Sequence, residues 1–145
     1  MSKKIVLITV LVLVALTLVG CGQKQTPEEI LNEFYPVMED ALASGDGTAW
    51  VEYFADDATM EVPALAPQPV AGKDMIEAAM WPGVYGAAGE SSIEIVQLEV
   101  DGNSATVYLM YTGGLTGDFP MQDLIEFNDE GKIQSYVVNV GVPAP

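Results

Sequence analysis

Apolar residues recur at helical spacing over the stretch that follows residue 26. Thr26 and Pro27 are typical of a helix start, and Ser44-Gly45-Asp46-Gly47 is typical of a helix end. Pro36 lies between these signals and favours a kink. The apolar positions that share one helical face are Ile30, Leu31, Phe34, Val37, Met38, Ala41 and Leu42. The pattern therefore predicts one amphipathic helix between the two signals.

Shorter elements are predicted in the next part of the chain. The pattern favours a helix over residues 48–54, a strand over residues 58–63 and a proline-containing loop over residues 64–71. A further helix opens at Gly72-Lys73-Asp74 and ends at Trp81-Pro82-Gly83.

After residue 91 the pattern changes to that of strands, and both faces of the later strands are largely apolar. The predicted strands span residues 92–100, 105–112, 120–128 and 132–140, and turn sequences join the first two and the last two as hairpins. Helices followed by a meander of strands predict an α+β fold, with the helices packed on one face of an antiparallel sheet.

One acidic residue breaks the apolar face of the third of these strands. Asp123 alternates with Met121, Ile125 and Phe127, so it shares their side of the strand. Burying a carboxylate without partners costs several kcal/mol. Asp123 is therefore expected to be hydrogen-bonded, to be protonated, or to line a cavity that a ligand enters.

The first 21 residues have the pattern of an export signal. Lys3 and Lys4 precede an apolar run that is too short to span a membrane comfortably, and Leu18-Val19-Gly20-Cys21 closes it. This ending resembles the lipobox of prokaryotic lipoproteins, in which the cysteine is lipidated and becomes the first mature residue. The alternatives are an ordinary secretory signal and an uncleaved anchor.

Lipidation of Cys21 would divide the chain into three parts. Residues 1–20 form the signal peptide, residues 21–26 form the lipidated cysteine and a short tether, and residues 27–145 form one domain. The tether reaches no more than about 20 Å when extended. The expected location is the cell envelope, with the domain held close to the extracytoplasmic side of a membrane.

Charge and composition argue against several partners. The chain has 21 acidic residues and no histidine, and only three of its five lysines follow the predicted cleavage position. Such a surface repels phosphate backbones, so we expect no nucleic-acid partner; solubility and a halophilic source explain the acid excess equally well. No EF-hand spacing or phosphate-binding glycine loop is present, so neither a metal nor a cofactor is predicted.

The order of several short motifs resembles the NTF2-like superfamily, in particular its SnoaL-like and ketosteroid isomerase-like domains. These motifs are Gly45-Asp46 at a helix end, Phe54-Ala55-Asp56-Asp57-Ala58 before a strand, Gly72 at a helix start, and Asp123-x-x-x-Phe127 before Gly131-Lys132-Ile133. The resemblance implies a cone-shaped fold in which a curved sheet wraps around helices and leaves a pocket. It also implies a homodimer formed through the outer face of the sheet.

The resemblance assigns roles to a few positions. Asp123 matches the acid that joins a helix tyrosine in the oxyanion hole of the isomerases, where an apolar site keeps a carboxylic acid neutral. Val62 stands at the position of their general base and Met38 at the position of their tyrosine, so isomerase chemistry is not expected. Tyr35, one helical turn from Met38, is either a packed helix residue or a replacement for the missing hydroxyl.

Three classes of function follow from these residues. The first, which we favour, is a tethered domain that binds a small, mostly apolar ligand or acts as an accessory module. The second is a SnoaL-like enzyme of isomerase, cyclase or hydrolase type on a hydrophobic carbonyl compound, with Asp123 as acid or hydrogen-bond donor and Tyr35 assisting. The third is a structural lipoprotein without a ligand. The predicted ligand-binding residues are Asp123, Met38, Phe54, Val62, Met80, Trp81 and Tyr85.

Overall fold

The computed structural model of the chain describes residues 24–80, 91–113 and 117–145. The predicted signal peptide, Cys21, Trp81 and Tyr85 lie outside these residues. Within them, no helix is both long enough and apolar enough to cross a membrane.

Helix α1 (Pro27–Ser44) begins and ends at the signals that the sequence contains. The hydroxyl of Thr26 accepts a hydrogen bond from the Glu29 backbone N–H at 3.3 Å, and the Glu29 carboxylate accepts one from the Thr26 N–H at 2.8 Å. This reciprocal pair is a capping box. At the other end Gly45 has a φ of 76°, a left-handed conformation that suits glycine, and its N–H bonds to the Ala41 carbonyl at 2.9 Å. The predicted helix is therefore confirmed.

Helix α2 (Thr48–Val51) is shorter than the pattern predicts, and helix α3 (Lys73–Met80) follows the next signals. The prediction of helix up to residue 54 was wrong, because Phe54 already belongs to a strand. The Tyr53 carbonyl accepts a hydrogen bond from the Ile133 N–H at 2.9 Å, and Phe54 lies opposite Ile133. Pairing with a strand distant in sequence thus overrides the local helical spacing.

The described strands form one six-stranded sheet in the order β2-β1-β6-β5-β4-β3. Their bounds are β1 (Phe54–Glu61), β2 (Val70–Ala71), β3 (Ser91–Asp101), β4 (Ser104–Gly113), β5 (Phe119–Phe127) and β6 (Ile133–Val140). All neighbours are antiparallel except β1 and β6, which are parallel. No hairpin joins those two strands, so the chain is free to bring them together in the same direction. Strand β2 lies in a segment that the sequence predicts as loop.

Helix α1 also protects one edge of the sheet. Strand β3 is the last in the order, and the backbone N–H of Ile93 donates a hydrogen bond to the Glu39 carboxylate of α1. An unpaired strand edge is a template for association with other chains. The Glu39 side chain therefore satisfies a group at this edge and joins the helix to the sheet.

The outer face of the sheet mixes polar and apolar side chains. Gln122 donates a hydrogen bond to the Tyr108 hydroxyl and accepts one from Asn139, while Leu124 beside them is 38% exposed. Dimerisation through this face stays a prediction.

Phe34 lies at the centre of the aromatic core between α1 and the sheet. It is fully buried, and five rings lie within about 6 Å of its centroid. Those rings are Tyr35 at 5.1 Å, Tyr53 at 5.5 Å, Tyr136 at 5.7 Å, Trp50 at 5.9 Å and Phe54 at 6.1 Å. The core therefore joins α1, α2, β1 and β6 through one side chain.

Replacing Phe34 by alanine is expected to lower the free energy of unfolding by about 3 to 5 kcal/mol, because it opens a cavity that five rings line. Urea titration followed by tryptophan fluorescence measures the change. The control is Leu65→Ala, whose side chain is 60% exposed and whose loss should change the free energy by no more than about 0.5 kcal/mol. Equal effects of the two substitutions would contradict this description of the core.

Candidate functional site

Asp123 lies at the middle of β5, on the buried face of the sheet. Its neighbours across the two ladders are Val107 of β4 and Val138 of β6, and its side chain is 0% exposed. Among the described residues, it is the only charged side chain that is buried. The alternation Met121, Asp123, Ile125 and Phe127 on one face is confirmed, since all four are buried while Leu124 and Glu126 between them are exposed.

Two tyrosine hydroxyls meet the same oxygen of this carboxyl group. Tyr35 of α1 donates a hydrogen bond to Asp123 Oδ2 at 2.8 Å, and Tyr136 of β6 donates one to the same atom at 2.7 Å. Both tyrosines are buried. Because hydroxyl donors near a carboxylate stabilise its charged form, this pair offsets part of the cost of burial.

The other carboxyl oxygen, Oδ1, receives no hydrogen bond from these tyrosines. Asp123 Oδ1 is buried and has no hydrogen-bond partner among the residues that the structure describes. Buried polar atoms are nearly always paired, so such an atom calls for water, a ligand or a bound proton. Oδ1 is the one atom of this carboxyl group left for a further contact.

Burial raises the pKa of Asp123 to about 7, and the hydrogen bonds from Tyr136 and Tyr35 act in the opposite direction. Both protonation states are then present near neutral pH. The group can accept a hydrogen bond at Oδ1 when ionised and can donate one when neutral. A pKa in this range also suits a general acid or base.

The structure brings together two of the residues proposed from the sequence, Asp123 and Tyr35. Tyr35 is both a packed helix residue and a hydroxyl donor to the acid, so the two interpretations of it are compatible. Four further predicted ligand-binding residues are buried in the same hydrophobic core, namely Met38, Phe54, Val62 and Met80. Their role stays a prediction, as does that of Trp81 and Tyr85, which lie outside the described residues.

Tyr136 is the member of the site that sequence reasoning missed. It lies opposite Ile125 in the β5–β6 ladder, two positions along from Asp123 and on the same face. Asn128-Asp129-Glu130-Gly131 predicts the hairpin, and alternation along β6 predicts that Tyr136 faces inward. Pairing the two strands from that turn would have placed its hydroxyl near Asp123.

Several grooves are formed by described residues of the surface. Three grooves formed by described residues were found, and none of the three is lined by Asp123. Within the described part of the chain, no set of three acidic, histidine or cysteine side chains is arranged to hold a metal ion.

Solved NTF2-like structures share this architecture of helices packed against a curved mixed sheet. An NTF2-like protein of unknown function from Burkholderia xenovorans superposes with a TM-score of 0.62 at 20% identity, over 83% of this chain and 90% of that one. A putative polyketide cyclase from Sinorhizobium meliloti superposes with a TM-score of 0.57 at 24% identity, over 74% of this chain and 94% of that one. SalBIII superposes with a TM-score of 0.62 at 25% identity, over 80% of this chain and 91% of that one. It is described as an epoxide hydrolase/cyclase-like enzyme with a role in pyran ring formation in the polyether salinomycin.

The family can be stated more narrowly than the fold. Residues 37–136 match the SnoaL-like domain, a span that runs from the middle of α1 to Tyr136 of β6. The chain therefore belongs to the SnoaL-like family, and the α+β, NTF2-like fold predicted from its sequence is confirmed. A search of curated proteins gives no match.

Between about pH 4 and pH 7, Asp123 is expected to make the protein less stable as the pH rises. Its pKa is about 7 when folded and about 3.9 in an unfolded chain, so across this window the folded state holds a proton that the unfolded state releases. The full difference corresponds to roughly 4 kcal/mol. The stabilising effect of the bound proton is complete below the unfolded pKa and is lost as the pH passes the folded one.

Urea titrations of the wild type and of Asp123→Asn at intervals from pH 5 to pH 8 test this. The variant has no group to titrate at this position, so its stability should depend less on pH over that window. Parallel pH profiles for the two proteins would show that Asp123 titrates alike in the folded and unfolded chains.

Proposed function

We propose that this chain is a membrane-tethered, extracytoplasmic SnoaL-like domain that binds a small, mostly apolar ligand through one polar contact at Asp123. The observation that carries the proposal is the buried Oδ1 atom, which has no hydrogen-bond partner among the described residues. The apolar neighbours of the carboxyl group would select the body of the ligand, and Oδ1 would fix its orientation.

The ligand contact follows from how the two oxygens are used. Oδ2 already accepts hydrogen bonds from Tyr35 and Tyr136, which hold the carboxyl plane between α1 and β6. Oδ1 is then presented in a fixed position on a rigid strand. A site whose polar atom is held in place before binding loses less conformational freedom when the ligand arrives.

Native mass spectrometry tests the ligand directly. The protein is purified from its source without denaturation, and a bound small molecule is expected as an additional mass on the wild type. Asp123→Asn should lose most of it, because the amide carries no negative charge and has an NH2 donor in place of one accepting oxygen.

The matched control is Glu126→Gln, on the same strand but on its exposed face, which should retain the additional mass. A wild-type protein without any bound molecule, or an Asp123→Asn protein with full occupancy, would remove Asp123 from the account of binding.

The tether proposal rests on the sequence before residue 24. Leu18-Val19-Gly20-Cys21 resembles a lipobox, and the cysteine at its end is the single cysteine of the chain. Lipidation would anchor the domain to a membrane on the extracytoplasmic side.

In a host that processes lipoproteins, the mature chain should begin at Cys21 and carry a lipid mass, and it should fractionate with membranes. Cys21→Ser should abolish the lipid mass and leave the precursor unprocessed, since the thiol is the attachment atom. Mass spectrometry of the intact protein gives both readouts. A wild-type chain cleaved at another position without lipid would instead indicate an ordinary secretory signal.

An enzymatic function is the second candidate, favoured by the raised pKa of Asp123 and by the 25% identity to an epoxide hydrolase/cyclase-like enzyme. Asp123 would act as acid or hydrogen-bond donor on a hydrophobic carbonyl compound, and Tyr35 would assist through Oδ2. Turnover that is lost in Asp123→Asn, while the compound still binds, would favour this candidate over a binding module. Val62 and Met38 at the isomerase positions argue against an isomerase of the ketosteroid type.

A function without a ligand is favoured by a different observation. Asp123 is fully buried and lines none of the three described grooves. The two tyrosines would then serve the stability of the fold alone, and the mass spectrometry experiment above distinguishes this candidate as well.

A further inference from the structure

The exposed side chain of Lys24, three residues after the predicted lipid attachment, lies beside the domain. The Lys24 Cε atom lies beside the β5–β6 turn, 3.7 Å from the position that a Cβ at Gly131 would occupy. Gln25 donates a hydrogen bond to the Glu33 carboxylate at 2.9 Å, and Thr26 caps α1. The described chain therefore already lies along the domain at Lys24, before the start of the helix.

This shortens the free part of the tether. If Cys21 carries the lipid, as the proposed function holds, then three residue steps separate it from Lys24. An extended chain covers about 10 Å in three residues. The surface around Lys24 and Gly131 is then the part of the domain nearest to the lipid attachment.

The lysines of the described residues all line this surface. Lys24 and Lys132 border a groove of about 600 Å³, together with Ala49 and Tyr53. Lys73 and Lys132 border an adjoining groove of about 580 Å³. We refer to the residues that line these two grooves as the tether end.

Glu52 contacts two of the three lysines of the tether end, Lys73 and Lys132. Its carboxylate pairs with Lys73 Nζ at 2.8 Å, and its backbone carbonyl accepts a hydrogen bond from Lys132 Nζ at 2.5 Å. Glu52 lines both grooves. The two ammonium groups are therefore arranged around one residue.

The tether end carries three lysines beside five acidic side chains, whereas every other described surface carries acids without lysines. The acidic members are Glu52, Asp56, Asp57, Asp129 and Glu130. Phospholipid headgroups present phosphate to any approaching protein, and an acidic surface without cations is repelled by it. The tether end is thus the one described face that offers ammonium groups to phosphate.

We propose that the tether end lies on the phospholipid headgroup layer and orients the domain, with Lys24, Lys73 and Lys132 contacting phosphate. The loop that carries Leu65, after the other end of β1, then faces away from the membrane. Strand β1 has eight residues, so its two ends are about 25 Å apart at roughly 3.3 Å per residue.

Energy transfer to a headgroup-labelled lipid tests this orientation on the full lipidated chain in phosphatidylethanolamine and phosphatidylglycerol vesicles. A second cysteine is introduced at Ala49 in the tether end or at Leu65 as the control, and each is labelled with the same fluorophore. Both positions are exposed, and a lipidated Cys21 does not react. Transfer from position 49 should be several-fold greater than transfer from position 65.

The paired substitution Lys24→Gln and Lys132→Gln should reduce this difference, because two of the three ammonium groups are removed. Glu94→Gln on the exposed side of β3 serves as its control and should leave the difference unchanged. Equal transfer from the two positions in a chain whose lipid mass is confirmed would overturn the orientation alone. A chain without lipid mass would instead overturn the tether on which it depends.

Discussion

The carboxyl group of Asp123 is the interaction on which the arrangement of α1 against the sheet depends. One of its oxygens accepts hydrogen bonds from a helix residue, Tyr35, and from a strand residue, Tyr136. Tyr35 is 88 residues from Asp123, and Tyr136 is 13 residues from it across the β5–β6 hairpin. The contact therefore forms only when α1, β5 and β6 are all in place. A buried carboxyl group without these donors would cost several kcal/mol, which penalises any packing that separates them. The network thus favours a single register of helix and strands over other arrangements of the same apolar core.

The same network determines what the site can do. Because both tyrosine hydroxyls donate to Oδ2, they fix the carboxyl group and leave Oδ1 for the contact that the described residues do not provide. Burial and hydrogen bonding act on the pKa of Asp123 in opposite directions and leave it near neutrality. A group of this kind serves binding, proton transfer or stability alone, and the SnoaL-like fold by itself does not decide among them.

Acidic residues and lysines are distributed differently over the described surface of the domain. The acid excess is spread over the described surface, whereas the lysines gather where the chain approaches its predicted lipid. The capping box at Thr26 fixes the start of α1, and the exposed side chain of Lys24 lies beside the β5–β6 turn. The proposed tether and the lysines therefore lie at the same end of the domain.

The amino-acid sequence by itself determined the local elements and the identity of the central residue. The cap at Thr26, the end of α1 at Gly45, the two hairpins and the inward position of Asp123 all follow from neighbouring residues, because capping, turn geometry and strand alternation act over a few positions. Only the tertiary structure decided the start of β1 at Phe54, the parallel pairing of β1 with β6, and the meeting of Tyr35 and Tyr136 at one oxygen. These features depend on contacts between residues far apart in the chain, whose energies override local preference and leave no periodic trace in the sequence.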